Sequence, residues 1–366
     1  MTSQPQTSFQ PETVPQLDMS AQYAAIGGDI RTAVERVMAS QQFVLGREGM
    51  ALEEELAKLC GVAHGVGLAS GTDALILALR ACGVHAGDDV LLPPFTFVAT
   101  GSAVSALGAK PVFVDIRPDT YNIDPAELER RVTPRTRAIV VVHLYGLAAD
   151  LDPILAFAKS HKLPVIEDNA QAIGASHKGR RTGSLGDAGC VSFYPTKNLG
   201  AYGDAGMVLT NSAELAARIR SLRNHGQAGK YLSSEPGWNS RLDEIQAAIL
   251  RVKLRHLSTW QRARQSHAAE YHRLLSPRAS NTSTTSTPFA WRSVTPSSAI
   301  LRTEKSRARS IILTPYICSH CTRRWVTRQE ISRTRSERRK KCFRCRCILN
   351  YAKSRSREWW KSSPNF

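Results

Sequence analysis

Short runs of Val, Ile and Leu alternate along this chain with longer stretches whose apolar residues recur every three or four positions. GVGLAS (65–70), DDVLLPP (88–94), PVFVDI (111–116), AIVVVHLYG (138–146), PVIEDN (164–169), AGCVSFY (188–194) and AGMVLTN (205–211) have the length and apolar content of strands. Helical spacing marks MALEEELAKLCG from Met50 to Gly61, GTDALILALRAC, FVATGSAVSALG, DPILAFAKSHK and SAELAARIRSLRNHG, together with Asp29–Ala39. FVLGREG, before Met50, reads as a turn, and residues 1–15 as a flexible, Pro-rich lead. From Leu242, DEIQAAILRVKLRHLSTWQRARQSHAAEYHRLL reads as one long helix. Val- and Ile-rich strands alternating with helices predict an α/β fold, a mostly parallel sheet covered on both faces. Ligands of such sheets bind beyond the carboxyl ends of the strands.

Charge divides the chain in two. The formal net charge of +18 suggests at first a nucleic-acid binder. Yet residues 277–366 hold 21 Lys and Arg against 4 Glu, with no Asp and no Gly. The first 276 residues therefore carry 28 bases and 27 acids and are nearly neutral. Cysteine divides likewise: Cys60, Cys82 and Cys190 are scattered in the body, and Cys318, Cys321, Cys342, Cys345 and Cys347 crowd the tail. Sparse body cysteines suit reduced thiols in a cytoplasmic enzyme. No apolar run approaches the roughly 18 residues of a membrane span, and the N-terminus lacks a signal-peptide apolar core.

The chemistry concentrates in two stretches. VIEDNAQAIGA carries Asp168 at the end of an apolar run, and GCVSFYPTKNLGAYGDAG, Gly189–Gly206, carries Ser192 and Lys197 between glycines. A lysine amine can form a Schiff base with the aldehyde of pyridoxal 5′-phosphate. A buried acid can hold the pyridine nitrogen protonated, so that the ring acts as an electron sink. A serine hydroxyl can bind the phosphate. In ASGTDALILAL, Ser70, Gly71 and Thr72 stand at a strand-to-helix junction, where free N–H groups favour a phosphate, or where Ser and Thr simply cap the helix. In PPFTFVAT an aromatic, Phe97 by preference over Phe95, is placed either to stack on a cofactor ring or to fill the core. Asn239, in PGWNSRLDEIQAA, is by itself an ordinary loop or cap residue.

SGTDAL, PPFTFVAT, GAKPVFVDI, TPRTRAIVVVHLYG, VIEDNAQAIGA, SFYPTKNLGAYGDAGMV and NSRLDEIQAAIL stand in the order and spacing of the DegT/DnrJ/EryC1/StrS sugar aminotransferases, which the chain resembles over roughly residues 14–276. The resemblance implies a fold type I, aspartate-aminotransferase-like large domain over residues 16–276. It further implies pyridoxal phosphate as cofactor, a nucleotide-linked keto sugar as substrate, glutamate as amino donor, and a homodimer, with neither specific nucleic acid nor membrane as partner. Carried over, Lys197 is the Schiff-base lysine, Asp168 the pyridinium partner and Phe97 the stacking ring, with Gln171 near the ring. Gly71, Thr72 and Ser192 bind the phosphate, and Asn239 reaches it from the neighbouring subunit. A branch of the family has His at the lysine position and dehydrates sugars, so Lys197 points to transamination. The FYPTKNLGAYGDAG form is most similar to members that aminate a 3-keto sugar.

The resemblance stops near Ser276, where the family continues into a small C-terminal domain. Residues 277–366 carry instead Cys318-x-x-Cys321 and Cys342-x-x-Cys345, separated by twenty residues, among arginines. That is zinc-ribbon spacing, and a nucleic-acid-binding tail on an inactive enzyme body is one reading. The other is that the tail is the family gene read one base out of frame, with no metal site and no small domain. With free third bases, Thr282–Trp291 permits HVYHQYTIRV in the shifted frame. Ile311–Ser336 permits YYPHPLHLQPLYASLGYKAGDFPNAE and Lys340–Asn350 permits KEVLSLPMYPE, all phrases similar to the family's small domain. The frameshift accounts together for the missing Gly and Asp and the surplus of Arg, Ser and Cys, and predicts a disordered tail and impaired activity.

Overall fold

Alternation of strand and helix dictates the architecture of the computed structural model, which describes residues 17–229 and 232–275. In chain order the elements are α1 (Ser20–Ser40), α2 (Arg47–Cys60), β1 (His64–Leu68), α3 (Gly71–Ala81), β2 (Asp89–Leu92), α4 (Val98–Ala106), β3 (Lys110–Phe113), β4 (Thr136–Val142), α5 (Leu151–His161) and β5 (Val165–Asp168). Then come the short pair β6 (Ser176–His177) and β7 (Arg180–Arg181), β8 (Ala188–Ser192), β9 (Gly206–Thr210), α6 (Ala213–Leu222), the short pair β10 (Gln227–Gly229) and β11 (Leu232–Ser233), α7 (Glu244–Leu254) and α8 (Leu257–Leu275). The expected flexible lead, the zinc-ribbon cysteines and the whole tail from Pro277 lie outside the described residues.

All seven expected strands join one sheet in the order β1-β9-β8-β5-β4-β2-β3. β2–β3, β2–β4, β4–β5 and β5–β8 pair parallel, while β9 pairs antiparallel with both β1 and β8. Only β9 therefore runs against the rest, and six strands end at one edge. Alternate side chains fill the two faces, as the period of a strand requires. Val66, Leu68, Val90, Val140, Ile166 and Val208 pack under α3, α4 and α6. Ile139, Val141 and Val165 meet α5 on the other face, and Val191, Met207 and Leu209 meet α2 and α7.

Three boundaries differ from the sequence reading. α1 begins at Ser20, ahead of Asp29, and α2 takes in Arg47–Gly49 of the expected turn. The cause of the second is remote: Glu244, in the first turn of α7, accepts hydrogen bonds from the N–H groups of Gly46 (2.9 Å), Glu48 (2.7 Å) and Gly49 (3.0 Å). A carboxylate from another helix thus caps α2, whose own N-cap residue is glycine. Glu244→Ala leaves these three donors without their acceptor and is expected to lower stability by about 3 kcal/mol, read as the shift of a urea unfolding curve.

The third difference is that the expected long helix is two. His256 N–H donates to Lys253 O at 3.0 Å, an i→i−3 bond that tightens the chain after Leu254, and α8 starts at Leu257. α7 is buried along Ala247–Leu250 and at Val252 and Lys253, whereas Arg262, Ala263, Gln265, Ser266 and His267 of α8 are exposed. The periodicity is continuous across the break because the bend keeps a helical backbone at Arg255 (φ −60°, ψ −25°).

Candidate active site

The shared edge of the six co-directional strands gathers most of the residues singled out in the sequence. β1 leads through Ser70 into α3, β2 through Phe97 into α4, β5 ends on Asp168, and β8 ends on Ser192, five residues before Lys197.

The β1–α3 junction and Ser192 are in direct contact. A Cβ on Gly71 would lie 2.5 Å from the Cβ of Ser192, so only glycine lets the two strand ends close up. Gly206, opposite both Leu68 and Ser192 in the sheet, is as tightly placed, since a Cβ there would sit 2.2 Å from Ser70 O. Ser70 caps α3 by accepting from Asp73 N–H at 3.1 Å. The cap reading of Ser70 is therefore correct, and it leaves the Gly71 and Thr72 amides at the positive end of the helix, beside the Ser192 hydroxyl. Ser192 Oγ accepts from Tyr194 N–H at 3.4 Å, which keeps its own proton for a ligand. A phosphate fits this cradle of small residues and N–H donors.

Asp168 is buried, with 7% of its surface exposed. Its Oδ2 accepts from Thr100 Oγ1 at 2.7 Å, and its Oδ1 from Ala170 N–H at 3.2 Å. Thr100 is in turn 2.8 Å from Thr96 Oγ1. The carboxylate is thus held by short, oriented donors at the strand end, as a partner for a cationic ring nitrogen must be. Lys197 is largely buried, and burial lowers its affinity for a proton, while the negative charge of Asp168 opposes that shift without cancelling it. The result is an amine that loses its proton more readily than an exposed lysine and is correspondingly nucleophilic. Lys197 N–H donates to Tyr194 O at 2.8 Å, closing the turn that carries it.

Phe97 precedes α4 and is half exposed, whereas Phe95 packs against Tyr121 with ring centroids 5.4 Å apart. That contact separates the two aromatics: Phe95 is packed against a neighbouring ring, and Phe97 is the more exposed. Gln171 Oε1 accepts from Tyr145 N–H at 2.7 Å, at a residue held in the left-handed region (φ 56°). This bond orients the amide of the residue that follows the Asp168–Ala170 turn. Asn239 precedes Ser240, whose hydroxyl accepts from Ala69 N–H at 3.3 Å and donates to Asp73 Oδ2 at 2.7 Å. Asn239 lines a cleft of about 460 Å³ with Val44, Ala69, Gly203, Asp204, Arg241, Asp243 and Gln246.

Two supports escaped the sequence reading. One is Thr100 together with Thr96, which lie within PPFTFVAT at helical spacing but touch Asp168 only in three dimensions. The other is the residue beside Asp168, Glu167, fully buried on the opposite face of β5. It accepts from Gly183, Leu185 and Gly186 N–H at 2.7 Å each and pairs with His143 Nε2 at 2.8 Å. These bonds hold its carboxyl below the usual range against the cost of burial. Because Ala149 N–H donates to His143 Nδ1 at 3.2 Å, His143 carries its proton on Nε2. His143 N–H also donates to Asp168 O at 3.2 Å, tying this network to the backbone of the acid.

Fold and strand-edge chemistry define a pyridoxal-phosphate-dependent transferase of the aspartate-aminotransferase type. The chain belongs to the DegT/DnrJ/EryC1/StrS aminotransferase family, whose description matches residues 24–314. The match runs past Ser276, beyond the motif-level resemblance. The chain is 52% identical over 262 residues (72% of this chain, 70% of the relative) to a protein of Geobacillus stearothermophilus named pleiotropic regulatory protein. It is also 52% identical over 258 residues (70% of each chain) to a UDP-N-acetyl-3-dehydro-alpha-D-glucosamine 3-aminotransferase of Acidithiobacillus ferrooxidans. Among solved structures, DesV of S. venezuelae in complex with a ketimine intermediate superposes with a TM-score of 0.70 at 47% identity, covering 72% of this chain and 71% of that one. Pyridoxal phosphate is the cofactor of this family.

Proposed function

We propose that this chain is built to transfer an amino group from glutamate to the ketone of a nucleotide-linked 3-keto sugar, as a cytoplasmic homodimer, with Lys197 as the cofactor lysine. The observation that carries this reading is the placement of Gly71, Ser192, Asp168 and a desolvated Lys197 on one strand edge. The sugar and its 3-position are supported by the name of the A. ferrooxidans relative. The cytoplasmic location is proposed on the family resemblance and on the three free cysteines of the body, which suit reduced thiols.

When bound, pyridoxal phosphate supplies an aldehyde for a lysine amine and a conjugated ring that accepts electrons. The protein's own residues do the rest. Gly71 and Thr72 N–H and the Ser192 hydroxyl would hold the phosphate, and Phe97 would stack on the ring. Asp168, anchored by Thr100 and Ala170 N–H, would hold a proton at the ring nitrogen, with Gln171 near the ring. Lys197 Nζ takes a proton from the carbon that bears the amino group of the donor and returns one to the carbon of the former ketone. Glutamate leaves as 2-oxoglutarate and the sugar ketone becomes an amine. Asn239 is assigned to the phosphate of the partner subunit on the family resemblance. The experiment is an assay with glutamate and a UDP-linked 3-keto sugar, using protein with the reading frame of the tail restored. Amino sugar and 2-oxoglutarate in equal amounts are expected. Amination of 4-keto but not 3-keto sugars would overturn the choice of substrate.

Asp168 depends on Thr100, which gives a direct test of the ring-nitrogen assignment. Thr100→Val removes a charge-assisted hydrogen bond while keeping shape and is expected to weaken cofactor binding about tenfold, measured by absorbance titration. Unchanged affinity would contradict the role given to Asp168.

The tail from Pro277 is assigned to an out-of-frame reading of the family's small domain. Its composition supports this, as do the family-like phrases that the shifted frame permits.

A further inference from the structure

Two turns apart on one face of α7, Gln246 and Lys253 both reach the loop that carries Lys197. Gln246 Oε1 accepts from Tyr202 N–H at 2.9 Å, and its Nε2 lies 3.5 Å from Tyr202 O. Lys253 Nζ donates to Gly200 O at 2.7 Å and stands 4.0 Å from the centroid of the Tyr202 ring. Only 1% of Lys253 is exposed, and no carboxylate pairs with it among the described residues. Burial pushes its amine down to about 8. An aliphatic side chain would pack at this core position without the cost of burying an ammonium group. What the lysine adds is a hydrogen bond to one carbonyl and a cation over one ring, and both lie within five residues of Lys197.

The loop transmits position because it is tightly closed. A Cβ on Gly200 would fall 2.4 Å from Pro195 O, so Gly200 lies directly against the residue two before Lys197. Ala201 N–H donates to Phe193 O at 2.7 Å, and Phe193 N–H to Ala205 O at 2.8 Å. Phe193, Leu199 and Ala201 are buried against α2 and α7. Movement of Gly200 or Tyr202 therefore moves the turn from Tyr194 to Lys197.

We propose that Gln246 and Lys253 are positioning residues for Lys197: from α7 they pin the backbone at Gly200 and Tyr202 and so fix where the Lys197 amine stands. The inference rests on the reading of Lys197 as the cofactor lysine. Neither side chain is assigned a contact with cofactor or substrate.

The test uses the full chain with Lys253→Met, Gln246→Ala and Gln246→Glu. The last keeps an acceptor for Tyr202 N–H, at a first-turn position where an acid suits the helix. Amide hydrogen exchange is measured on cofactor-free protein, and borohydride-dependent labelling of Lys197 by pyridoxal phosphate on the same samples. For Lys253→Met and Gln246→Ala, exchange across residues 194–202 is expected to speed about tenfold, with labelling about tenfold slower, the factor that one lost hydrogen bond of this kind carries. Exchange in β4 and β5 is expected to stay at the parent level, and Gln246→Glu to restore both readings. Unchanged exchange and labelling would overturn the proposal. So would faster exchange throughout the sheet, because that marks a packing role. If Lys197 is labelled in none of the proteins, parent included, the cofactor reading fails, while exchange still decides whether α7 holds the loop.

Discussion

Lys197→Ala is expected to cut transamination by at least about 10³-fold, equivalent to about 4 kcal/mol of barrier, with the fold retained. The loss is large because the proposed role gives one amine two tasks: it would tether the cofactor and, in each half of the reaction, take or return a proton at the reacting carbon. No described neighbour replaces it. Lys253 is also buried, but its amine is committed to Gly200 O and the Tyr202 ring. Asp168 is already engaged by Thr100 Oγ1 and Ala170 N–H. Stability should change little, since the substitution removes a desolvated amine for which no carboxylate salt bridge is found. Turnover of glutamate with the keto sugar, set beside a urea unfolding curve, checks both halves. Turnover within tenfold of the parent would mean that the proton moves elsewhere.

On the proposed frameshift, a chain carrying the alternative reading frame after Ser276 is expected to turn over at least about 100-fold faster than the chain as it stands. In fold type I enzymes a small domain closes on the large one, excluding water and aligning the reacting groups, and lost alignment alone costs several kcal/mol. Residues 277–366 hold 21 basic side chains against 4 acidic ones, with no Gly. Comparable turnover from the two proteins would show that the tail completes the site as written. One tightly held zinc per chain, lost on Cys318→Ser or Cys342→Ser, would favour the zinc-ribbon reading instead.

Much of the fold was legible because its signals are local. Each of the seven apolar runs became a strand of one sheet, since Val- and Ile-rich runs between helices have few other ways to be buried. The boundaries that went astray depend on distant groups. α2 starts early because Glu244, nearly two hundred residues on, caps it. The helix after Leu242 breaks through an i→i−3 bond that leaves hydrophobic periodicity unchanged.

The site divides in the same way. Asp168, Ser192 and Lys197 stood out because strand ends, a Gly-rich loop and reactive side chains coincide in the sequence. Phe97 was preferred over Phe95 in the sequence, and the contact of Phe95 with Tyr121 is a tertiary feature that periodicity does not show. Glu167 gave no signal beyond adjacency to Asp168, because its partners, His143 and the amides of residues 183–186, come together only when β4 and β5 pair. Lys253 read as one more charge on an amphipathic helix, since burial of a lysine is a property of packing and not of periodicity.

The central claim is that Lys197 is the residue that takes the cofactor. Incubation of the purified chain with pyridoxal phosphate, borohydride reduction and peptide mapping tests it most directly. A single pyridoxyl adduct on Lys197, absent from Lys197→Ala, is the expected result; an adduct on Lys253 or another lysine, with Lys197 unmodified, would contradict it.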